Sequence, residues 1–526
     1  MTSKSLCCIM GVLFFSVVSV TLANPPCPER GDLNEDGWVS SADRAILIAN
    51  YGVCSDYPTP CPEDGDLTYD GYVSAADRAF MYEYWGECPA ACDSLTPIAR
   101  WDVVPRQWVP SSGIAVGVVA VSADDIWKVE FDWNGGGAHV FSPSTNPRTG
   151  ELEYWCTPAF AGTGVQTITA TIHGNCGGTR SLDLELYVSD ASRPTRTINI
   201  NGDIISEMDD VGAGGIVYLE ADNPPAHYSI GDWTPPTITS DTWISIVGLG
   251  DDPEDVVIDT RTGLLANTPY IEFRNLKIKK DDGDPQPIVS ANPTNKLWIN
   301  GVELEGSGRY TYLPSPIRGD DGVQDQETIY YTDSTITGTD FGARRAALVR
   351  NVTIDSISND AFQHIPFVLN CDVSDIASNT SSIHADLWQW FATDGPNNVI
   401  MRDVTLTDTS TPTQAIMCRT EDRTAPAASC VAFLNVHVSS VPVLWFREVD
   451  HFIMRDCVWG GNVTLGPDQD GGGHFQCDLT NAEFTDNDFQ GFLNIIDPWT
   501  VVYGVWTGNT YSTCATPYEC PSGVTP

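Results

Sequence analysis

Two short segments near the start of the chain place oxygen-bearing side chains at the spacing that a hard cation needs. Residues 27–54 and 61–88 align without an insertion. In each copy, oxygen donors fall at loop positions 1, 3, 5, 9 and 12, and the backbone carbonyl of position 7 adds one more: Asp32, Asn34, Asp36, Trp38, Ser40 and Asp43, then Asp66, Thr68, Asp70, Tyr72, Ser74 and Asp77. Calcium takes about six to eight oxygen ligands, and a glycine at position 6 makes the sharp turn. The repeat therefore predicts two Ca²⁺ sites, since a gapless second copy disfavours a simple acidic turn-rich loop.

A second group of chemically capable residues lies in the later half of the chain. Aligning its repeated apolar segments puts residues 360–363 (DAFQ), 386–389 (DLWQ), 414–417 (QAIM) and 442–445 (PVLW) in register. Because paired strands lie ~4.8 Å apart, Asp360 and Asp386 would be lateral neighbours. Two carboxylates that close cannot both ionise cheaply, so one would keep a raised pKa or the two would share a cation. A separation of ~5–5.5 Å suits a retaining glycosidase, and a longer one suits an inverting enzyme.

Other side chains near this pair would complete a catalytic site. His384 is a candidate general base or metal ligand beside Asp386, and His364 holds a similar place after Asp360. Arginines on later segments would hold a substrate carboxylate or sulfate, namely Arg419, Arg423 and Arg447. Aromatic rings would stack on sugars if they face outward, the candidates being Phe362, Trp388, Trp390, Trp445 and Phe446. The alternative is a structural ladder of stacked polar side chains, such as Gln363 over Gln389, that satisfies backbone groups.

The elements that must position these residues are short strand pairs joined by a turn-forming residue. These residues are Asn275, Gly301, Asp333, Asn351, Asn370, Asp403, Asn435 and Asp456. Asn and Asp suit a bend because their side chains bond the local backbone and tolerate unusual dihedrals. Variable loops on a constant strand–turn–strand unit predict a solenoid whose coils bury their apolar faces on one another.

The rest of the chain divides by pattern. Residues 1–23 carry one lysine and an apolar run, which predicts a secretory signal peptide and a secreted or cell-surface protein. Residues 93–190 alternate apolar and polar positions between turn-formers, which predicts antiparallel strands and a spacer role. The predicted order is signal peptide 1–23, calcium module 24–92, β-sandwich 93–190, β-helix 191–500 and a tail 501–526 with Cys514 and Cys520.

Three family resemblances follow from these motifs. Residues 27–88 resemble a dockerin module, which implies Ca²⁺-dependent docking onto a cohesin-type domain, with Ser41, Ala42, Ala75 and Ala76 at the recognition positions. Thr68 departs from the family's usual Asp or Asn, and the flanking cysteines and the N-terminal placement are also unusual. Residues 93–190 resemble immunoglobulin-like sandwiches of secreted bacterial proteins. Residues 196–500 resemble the right-handed parallel β-helix of pectate-lyase-like proteins, including exported dockerin-bearing proteins of planctomycete bacteria.

The predicted fold class is therefore mainly β: a right-handed parallel β-helix with an N-terminal β-sandwich and a small α-helical calcium-binding dockerin. The resemblance implies a polysaccharide lyase or glycoside hydrolase with a polysaccharide substrate. The register of the coils makes Asp360, His384 and Asp386 the candidate catalytic residues, and the loop spacing predicts Ca²⁺ as cofactor. The alternative is a non-catalytic extracellular structural or glycan-binding protein anchored by its dockerin.

Composition narrows the partners and the redox state. Seventy acidic against 27 basic residues, a net charge of -43, argue against nucleic acid and anionic membranes. No segment after the leader has the ~20 apolar residues of a spanning helix. The cysteines of an exported chain predict disulfides. Proximity favours Cys27–Cys54, Cys61–Cys88, Cys156–Cys176, Cys418–Cys430, Cys457–Cys477 and Cys514–Cys520, with Cys27–Cys88 and Cys54–Cys61 as the alternative in the module and Cys371 as a buried free thiol.

Overall fold

A computed structural model gives the architecture. It describes residues 31–34, 38–54, 61, 65–69, 71–83, 86–87, 95–222, 225–230, 240–260, 264–266, 270–280, 289–291, 296–306, 317–319, 329–376, 386–392, 397–407, 414–420, 428–439, 444–446, 449–460, 463–465, 479–495 and 501–514. The chain forms two compact units, Met1–Asp93 and Ser94–Pro526. In the described part of the chain, no helix is both long and apolar enough to cross a membrane.

The first unit is built from two similar loop–helix halves. Its elements are β1 (Trp38–Val39), α1 (Ser41–Ala49), β2 (Gly52–Val53), β3 (Tyr72–Val73), α2 (Ala75–Glu83) and β4 (Gly86–Glu87). The two halves pack reciprocally: Gly31 faces Met81 of α2, and Gly65 faces Leu47 of α1. Both glycines have φ near +105° (103° and 106°), so a side chain there would be strained as well as crowded. A small shared core follows, made of Val39, Leu47, Cys54, Cys61, Leu67, Val73 and Met81.

The disulfide pattern corrects most of the pairings expected from proximity. Cys54 and Cys61 form a disulfide, which confirms that bond of the alternative and excludes Cys27–Cys54 and Cys61–Cys88. Cys27 and Cys88 lie outside the described residues. Cys156, Cys430 and Cys457 are buried and form no disulfide, so the pairs Cys156–Cys176, Cys418–Cys430 and Cys457–Cys477 are wrong. The reason is that these three side chains lie in packed apolar cores, where they behave as small hydrophobes. Cys371 is a buried free thiol, as predicted.

The second unit begins with two facing β-sheets. Its strands are β5 (Ile98–Trp101), β6 (Trp108–Val109), β7 (Val116–Val121), β8 (Ile126–Trp133), β9 (Gly136–Val140), β10 (Ser144–Thr145), β11 (Leu152–Cys156), β12 (Gly164–Gly174) and β13 (Thr179–Val188). One sheet has the order β10-β11-β7-β5 and the other β6-β13-β12-β8-β9, with all pairs antiparallel except β6–β13. Burial alternates along β12, because every second side chain enters the core between the sheets.

The remainder is a solenoid of parallel strands. A 21-stranded sheet winds through it, and two smaller sheets have the orders β19-β21-β23 and β26-β29-β31-β33-β35. The elements are β14 (Thr195–Ile198), α3 (Ile204–Val211), β15 (Ile216–Leu219), β16 (Ala226–Ile230), β17 (Ile244–Gly248), a 3₁₀ turn (Pro253–Asp255), β18 (Val256–Thr260), β19 (Leu264–Ala266), β20 (Tyr270–Lys280), β21 (Val289–Ala291), β22 (Lys296–Glu305), β23 (Ile317–Gly319), β24 (Ile329–Thr332), β25 (Thr335–Thr337), β26 (Ala343–Arg344), β27 (Ala346–Arg350), β28 (Thr353–Ile357), β29 (Phe362–Gln363), β30 (Phe367–Ile376), β31 (Asp386–Ala392), β32 (Asn397–Thr407), β33 (Gln414–Thr420), β34 (Ala428–Val438), β35 (Leu444–Phe446), β36 (Val449–Arg455), β37 (Val458–Trp459), β38 (Val463–Leu465), β39 (Leu479–Thr485), β40 (Asp488–Ile495), β41 (Val501–Thr507) and β42 (Thr510–Cys514). The predicted mainly-β fold class, built on a large parallel sheet, is confirmed.

The predicted turn residues form a continuous row along the solenoid. All eight, from Asn275 to Asp456, have φ between 50° and 61°, the left-handed conformation that Asn, Asp and Gly tolerate best. Strand register stacks each on the next, and Asp486 and Gly508 continue the row. Amide rungs join neighbours, as where Asn351 donates to Asp333 at 2.8 Å. We call this row the turn ladder.

The two-sheet sandwich is packed against the solenoid. Ile98, Val119 and Val121 of the sandwich share one apolar cluster with side chains of successive coils, including Trp243, Phe367, Ile400 and Ile453. Polar contacts reinforce it: Asn398 both donates to the Ala99 carbonyl (2.5 Å) and accepts from the Ala99 amide (2.7 Å). The sandwich is thus fused along the side of the solenoid, which is a different arrangement from a spacer strung between two modules.

Candidate functional site

The strand register predicted around Asp360 and Asp386 is confirmed. In the five-stranded sheet, Phe362 pairs with Trp388, Trp388 with Ile416, and Ile416 with Leu444. Asp360 and Asp386 both lie two residues before these partners, so they occupy the same place on adjacent coils. The backbone amide of Asp386 donates to Oδ1 of Asp360 at 3.1 Å.

Two glutamines link the carboxyl groups into one hydrogen-bonded set. Gln363 Nε2 donates to Asp360 Oδ2 at 3.2 Å, and Gln389 Nε2 donates to Asp386 Oδ2 at 3.1 Å. Gln363 Nε2 also donates to Gln389 Oε1 at 2.7 Å, which joins the two rungs. We call these four residues the carboxyl ladder. Two of its buried acceptors, Asp386 Oδ1 and Gln363 Oε1, have no hydrogen-bond partner.

Burial controls the protonation of the carboxyl ladder. Asp360 is 1 % exposed and Asp386 is fully buried. Burial raises the pKa of Asp386 to about 7. Burial, and then the neighbouring Asp386 charge, raise the pKa of Asp360 well above its usual range. The raised carboxyl pKa expected from the sequence is therefore present, and the pair holds a proton near neutral pH.

The other predicted participants lie in different surroundings. Phe362, Trp388 and Trp390 belong to the apolar core of the solenoid. His364 is 7 % exposed, and burial, followed by the charges of Arg345 and Arg344, lowers its pKa to about 3, so its imidazole is neutral. Arg419 lies in β33, and Trp445 and Phe446 lie in β35. His384, Arg423 and Arg447 lie outside the described residues.

In the calcium loops, the carboxylates at positions 1 and 12 are buried, and the position 12 carboxylate accepts hydrogen bonds from backbone amides of its own loop. Asp32, Asp43, Asp66 and Asp77 are all fully buried. The carboxylate of Asp43 accepts from the amides of Leu33 (2.8 Å), Asn34 (3.1 Å) and Ser40 (2.8 Å), so it reaches back across its own loop. Asp77 makes the equivalent bonds to the amides of Thr68 (2.8 Å) and Ser74 (2.7 Å).

The loop donors fit a hard cation. Asp66 Oδ2 accepts from the amide of Gly71 at 2.9 Å, which fixes the turn after loop position 5. Ser40 and Ser74 cap α1 and α2 through their hydroxyls, so the same residues end the loop and start the helix. The nearby grouping of Cys54, Cys61 and Asp66 is not a metal site because the two sulfurs form the disulfide. Asp36 and Asp70 lie outside the described residues, and Trp38 and Tyr72 lie in β1 and β3.

A second set of buried charges was missed by the sequence analysis. Asp102 of the sandwich is fully buried and pairs with Arg350 of the solenoid (2.9 Å) and with Arg148 (3.3 Å). Glu153, 1 % exposed, accepts from Asn146 Nδ2 at 2.6 Å. Burial, and then the Asp102 charge, raise the pKa of Glu153 to about 7. We call Asp102, Arg148, Glu153 and Arg350 the junction network. No local pattern signals it, because its members come from separate parts of the chain.

Comparisons with known proteins find similarity to solved structures only. No family model and no curated protein matches the chain. The chain is similar to the catalytic domain of a GH87 alpha-1,3-glucanase in complex with tetrasaccharides (10% identity, 81% of this chain and 96% of that chain, TM-score 0.37). It is also similar to a GH136 lacto-N-biosidase from Eubacterium ramulus (9%, 61% and 67%, TM-score 0.33). A third is a tailspike protein of Acinetobacter baumannii bacteriophage Fri1, a capsular polysaccharide depolymerase (13%, 69% and 71%, TM-score 0.32). At these values, the functional argument rests on the geometry of this chain.

Proposed function

We propose that the protein is an exported, dockerin-bearing, carbohydrate-active β-helix protein. Its first unit would bind two Ca²⁺ ions and dock onto a cohesin-type domain, and its solenoid would act on a polysaccharide as a lyase or glycoside hydrolase. The observation that carries the proposal is the duplicated loop–helix unit, in which Asp32, Asp43, Asp66 and Asp77 are fully buried at matching positions. The leader at residues 1–23 supports export to the medium or the cell surface.

In the first unit, the cation would replace backbone amides as the partner of the loop carboxylates. Asp32, Asn34 and Asp36, with Ser40, Asp43 and the Trp38 carbonyl, would hold one ion. Asp66, Thr68, Asp70, Tyr72, Ser74 and Asp77 would hold the second. A unit with so small an apolar core would depend for its stability on the bound metal and on the Cys54–Cys61 disulfide. Because bound Ca²⁺ would neutralise the clustered carboxylates, it would also stabilise the fold of the unit.

The surface of this unit supports docking onto a protein partner. Ser41, Ala42, Ala75 and Ala76 are all exposed at the starts of α1 and α2. Large apolar side chains are also exposed on the same small unit, namely Ile48, Tyr51, Val53, Tyr72 and Tyr82. Val53 and Tyr72 lie directly opposite each other on β2 and β3. Exposed apolar side chains gathered on one small unit are typical of a protein interaction site.

Calorimetric titration of Ca²⁺ into the chelator-treated full chain tests the calcium module. We expect two sites, and Asp32→Ala and Asp66→Ala should each remove one because each deletes a position 1 carboxylate. Asp486→Ala is the matched control, since it removes an exposed aspartate of the turn ladder and should leave both sites intact. A wild-type chain that takes up no Ca²⁺, or variants that keep both sites, would contradict the assignment.

In the solenoid, the carboxyl ladder is the candidate acid–base pair. If it is catalytic, Asp360→Asn, Asp386→Asn and His384→Ala should each lower the rate of polysaccharide cleavage by ~10²–10⁴-fold at an unchanged melting temperature. The assay follows both new reducing ends and unsaturated uronates, which separates hydrolysis from elimination. Asp488→Asn, at a half-buried aspartate of β40 outside the carboxyl ladder, is the control.

The burial of the carboxyl ladder favours a second candidate function. Asp360 and Asp386 lie in the wall of the coil beside core aromatics, where stacked polar side chains satisfy one another as a structural ladder does. In that case the solenoid is a non-catalytic glycan-binding or structural element anchored by the same module. Binding to polysaccharides without any cleavage product would support this candidate against the enzyme.

A further inference from the structure

A cleft of about 490 Å³ opens where the sandwich meets the solenoid. Strands β7 and β11 of the sandwich line one wall, and three consecutive rungs of the turn ladder line the other. Its volume lies within the range of ordinary small-molecule binding sites, about 300–1,000 Å³. We call it the junction cleft. It does not include the carboxyl ladder, so it is a separate place on the molecule.

The solenoid wall presents polar side chains in a regular row. Asp403, Asn435 and Asp456 follow one another on adjacent coils, each at φ near 50–55°. Because coils stack at ~4.8 Å, their side chains repeat at that distance along the wall. Asn435 and Asp456 are exposed, and Asp403 is half-buried. Such a row offers hydrogen-bond acceptors to an extended ligand with repeating hydroxyl groups.

The sandwich wall adds apolar surface and one further acid. Leu152 is 64% exposed, the largest exposed fraction among the large apolar side chains of the described residues. It lies at the start of β11, and Leu434 of the solenoid also lines the cleft. The side chain of Asp125, which also lines the cleft, is 76% exposed and lies 4.0 Å from Arg455. Apolar contact beside acceptors suits a sugar ring, whose faces are apolar and whose edge carries hydroxyls.

The charged side chains of the junction cleft determine which class of sugar it would bind. Arg402 pairs with Asp403 (3.1 Å) and Glu151 (3.7 Å), and Arg455 pairs with Glu483 (2.7 Å) and donates to the Ser122 carbonyl (2.8 Å). Both guanidinium groups thus have protein carboxylates as ion-pair partners, although Arg402 Nε and Nη2 make no hydrogen bond. Asp125 and Asp456 add negative charge around them. An acidic sugar would meet carboxylates and engaged cations, so the cleft excludes polyanions.

We propose that the junction cleft binds a neutral oligosaccharide segment, with Asp456 and Asn435 accepting and donating hydrogen bonds to hydroxyls and Leu152 packing against a ring face. The inference rests on the proposed carbohydrate-active function and deepens it, since it names the ligand class and a site formed jointly by the two domains. It also gives the sandwich a role in binding, because without it the turn ladder has no facing wall.

Affinity gel electrophoresis of the full chain tests the cleft. The probes are soluble dextran, mixed-linkage β-glucan, galactomannan and, as the acidic probe, polygalacturonate. We expect retardation by at least one neutral polymer and none by polygalacturonate. Asp456→Asn and Leu152→Ser should each raise the apparent Kd by about tenfold, because each removes one directional or apolar contact. Asn retains the left-handed turn, so Asp456→Asn preserves the backbone.

Matched controls keep the outcomes distinct. Asp486→Asn changes the next rung of the same ladder, and Leu249→Ser changes another half-exposed leucine, both outside the cleft lining. Neither should alter binding, and all four variants should keep the wild-type melting temperature. Binding that is unaffected by Asp456→Asn and Leu152→Ser overturns the cleft and leaves the proposed function standing. Retardation by polygalacturonate overturns the ligand class. Retardation by no probe counts against the proposed function itself, and the cleft falls with it.

Discussion

The carboxyl ladder and the junction network differ in the partners that they provide for buried acidic side chains. Each buries two acids and holds one of them near a pKa of 7, mainly through loss of solvent. In the carboxyl ladder, the neutral amides of Gln363 and Gln389 donate to one oxygen of each carboxyl group. In the junction network, two guanidinium groups pair with Asp102, while burial, and then the Asp102 charge, raise the pKa of Glu153. An amide-linked pair tolerates neutralisation, whereas an ion-paired acid leaves buried cations behind when its charge is removed.

The largest expected loss of stability therefore comes from a substitution in the junction network. Asp102→Asn would leave Arg148 and Arg350 buried against a neutral side chain, and removing one partner of a buried ion pair typically costs about 3–5 kcal/mol. We expect the free energy of unfolding, measured by urea denaturation at pH 7.5, to fall by about that amount. The matched control is Asp333→Asn, because Asp333 also approaches Arg350 (3.9 Å) but is 49% exposed. Its loss should cost below about 1 kcal/mol, and equal losses for the two variants would refute the contrast.

The pH dependence of stability tests both pairs together. An acid whose pKa is raised by folding binds its proton more tightly in the folded state, so its contribution to stability is full at low pH and is lost as pH rises. For Glu153, whose pKa rises from 4.5 to about 7, the loss falls between those pH values and amounts to about 3 kcal/mol. For Asp386, the pKa rises from 3.8 to about 7. The loss of stability from this residue therefore begins at a lower pH than that from Glu153 and ends at the same pH.

Isosteric amides separate the two contributions. Glu153→Gln and Asp386→Asn should each flatten the fall in unfolding free energy between pH 5 and pH 8, measured against wild type. Asp386→Asn should be close to neutral at pH 5, where the wild-type acid is protonated, and stabilising at pH 8. A wild-type protein whose stability is constant from pH 5 to pH 8 would show that neither acid is held protonated.

The two sites also differ in how far the sequence predicts them. Asp360 and Asp386 could be placed side by side because the solenoid repeats, and a repeat converts spacing along the chain into register in space. The turn ladder could be predicted from the same repeat, because residues such as Asn351 and Asp403 tolerate the backbone dihedrals of a bend. Asp102 and Arg350 are 248 residues apart, and no periodicity joins a sandwich to a coil. The disulfide pairings failed for a related reason: Cys457 is close to Cys477 in sequence, yet its side chain lies in the core.

The smallest expected effect concerns a single amide of the carboxyl ladder. Gln389→Met removes the donor to Asp386 Oδ2 and the acceptor of Gln363 Nε2, a net cost of about 1 kcal/mol. It should also raise the pKa of Asp386 further, because the bond from Gln389 opposes the effect of burial. The loss in unfolding free energy should therefore be larger at pH 8, where the acid ionises, than at pH 5.

Gln490→Met is the matched control for this rung. Gln490 Nε2 donates to Asp488 Oδ2 at 3.2 Å, the same pairing of an amide with a carboxylate, but it lies on the exposed surface of β40. Water replaces the lost partner there, so the variant should match wild type at both pH values. If Gln389→Met also left the free energy of unfolding unchanged, the glutamine amides would not be the groups that stabilise buried Asp360 and Asp386. The carboxyl ladder would then need a different partner for its charge, and the distinction between the amide-linked and the ion-paired acids would fail.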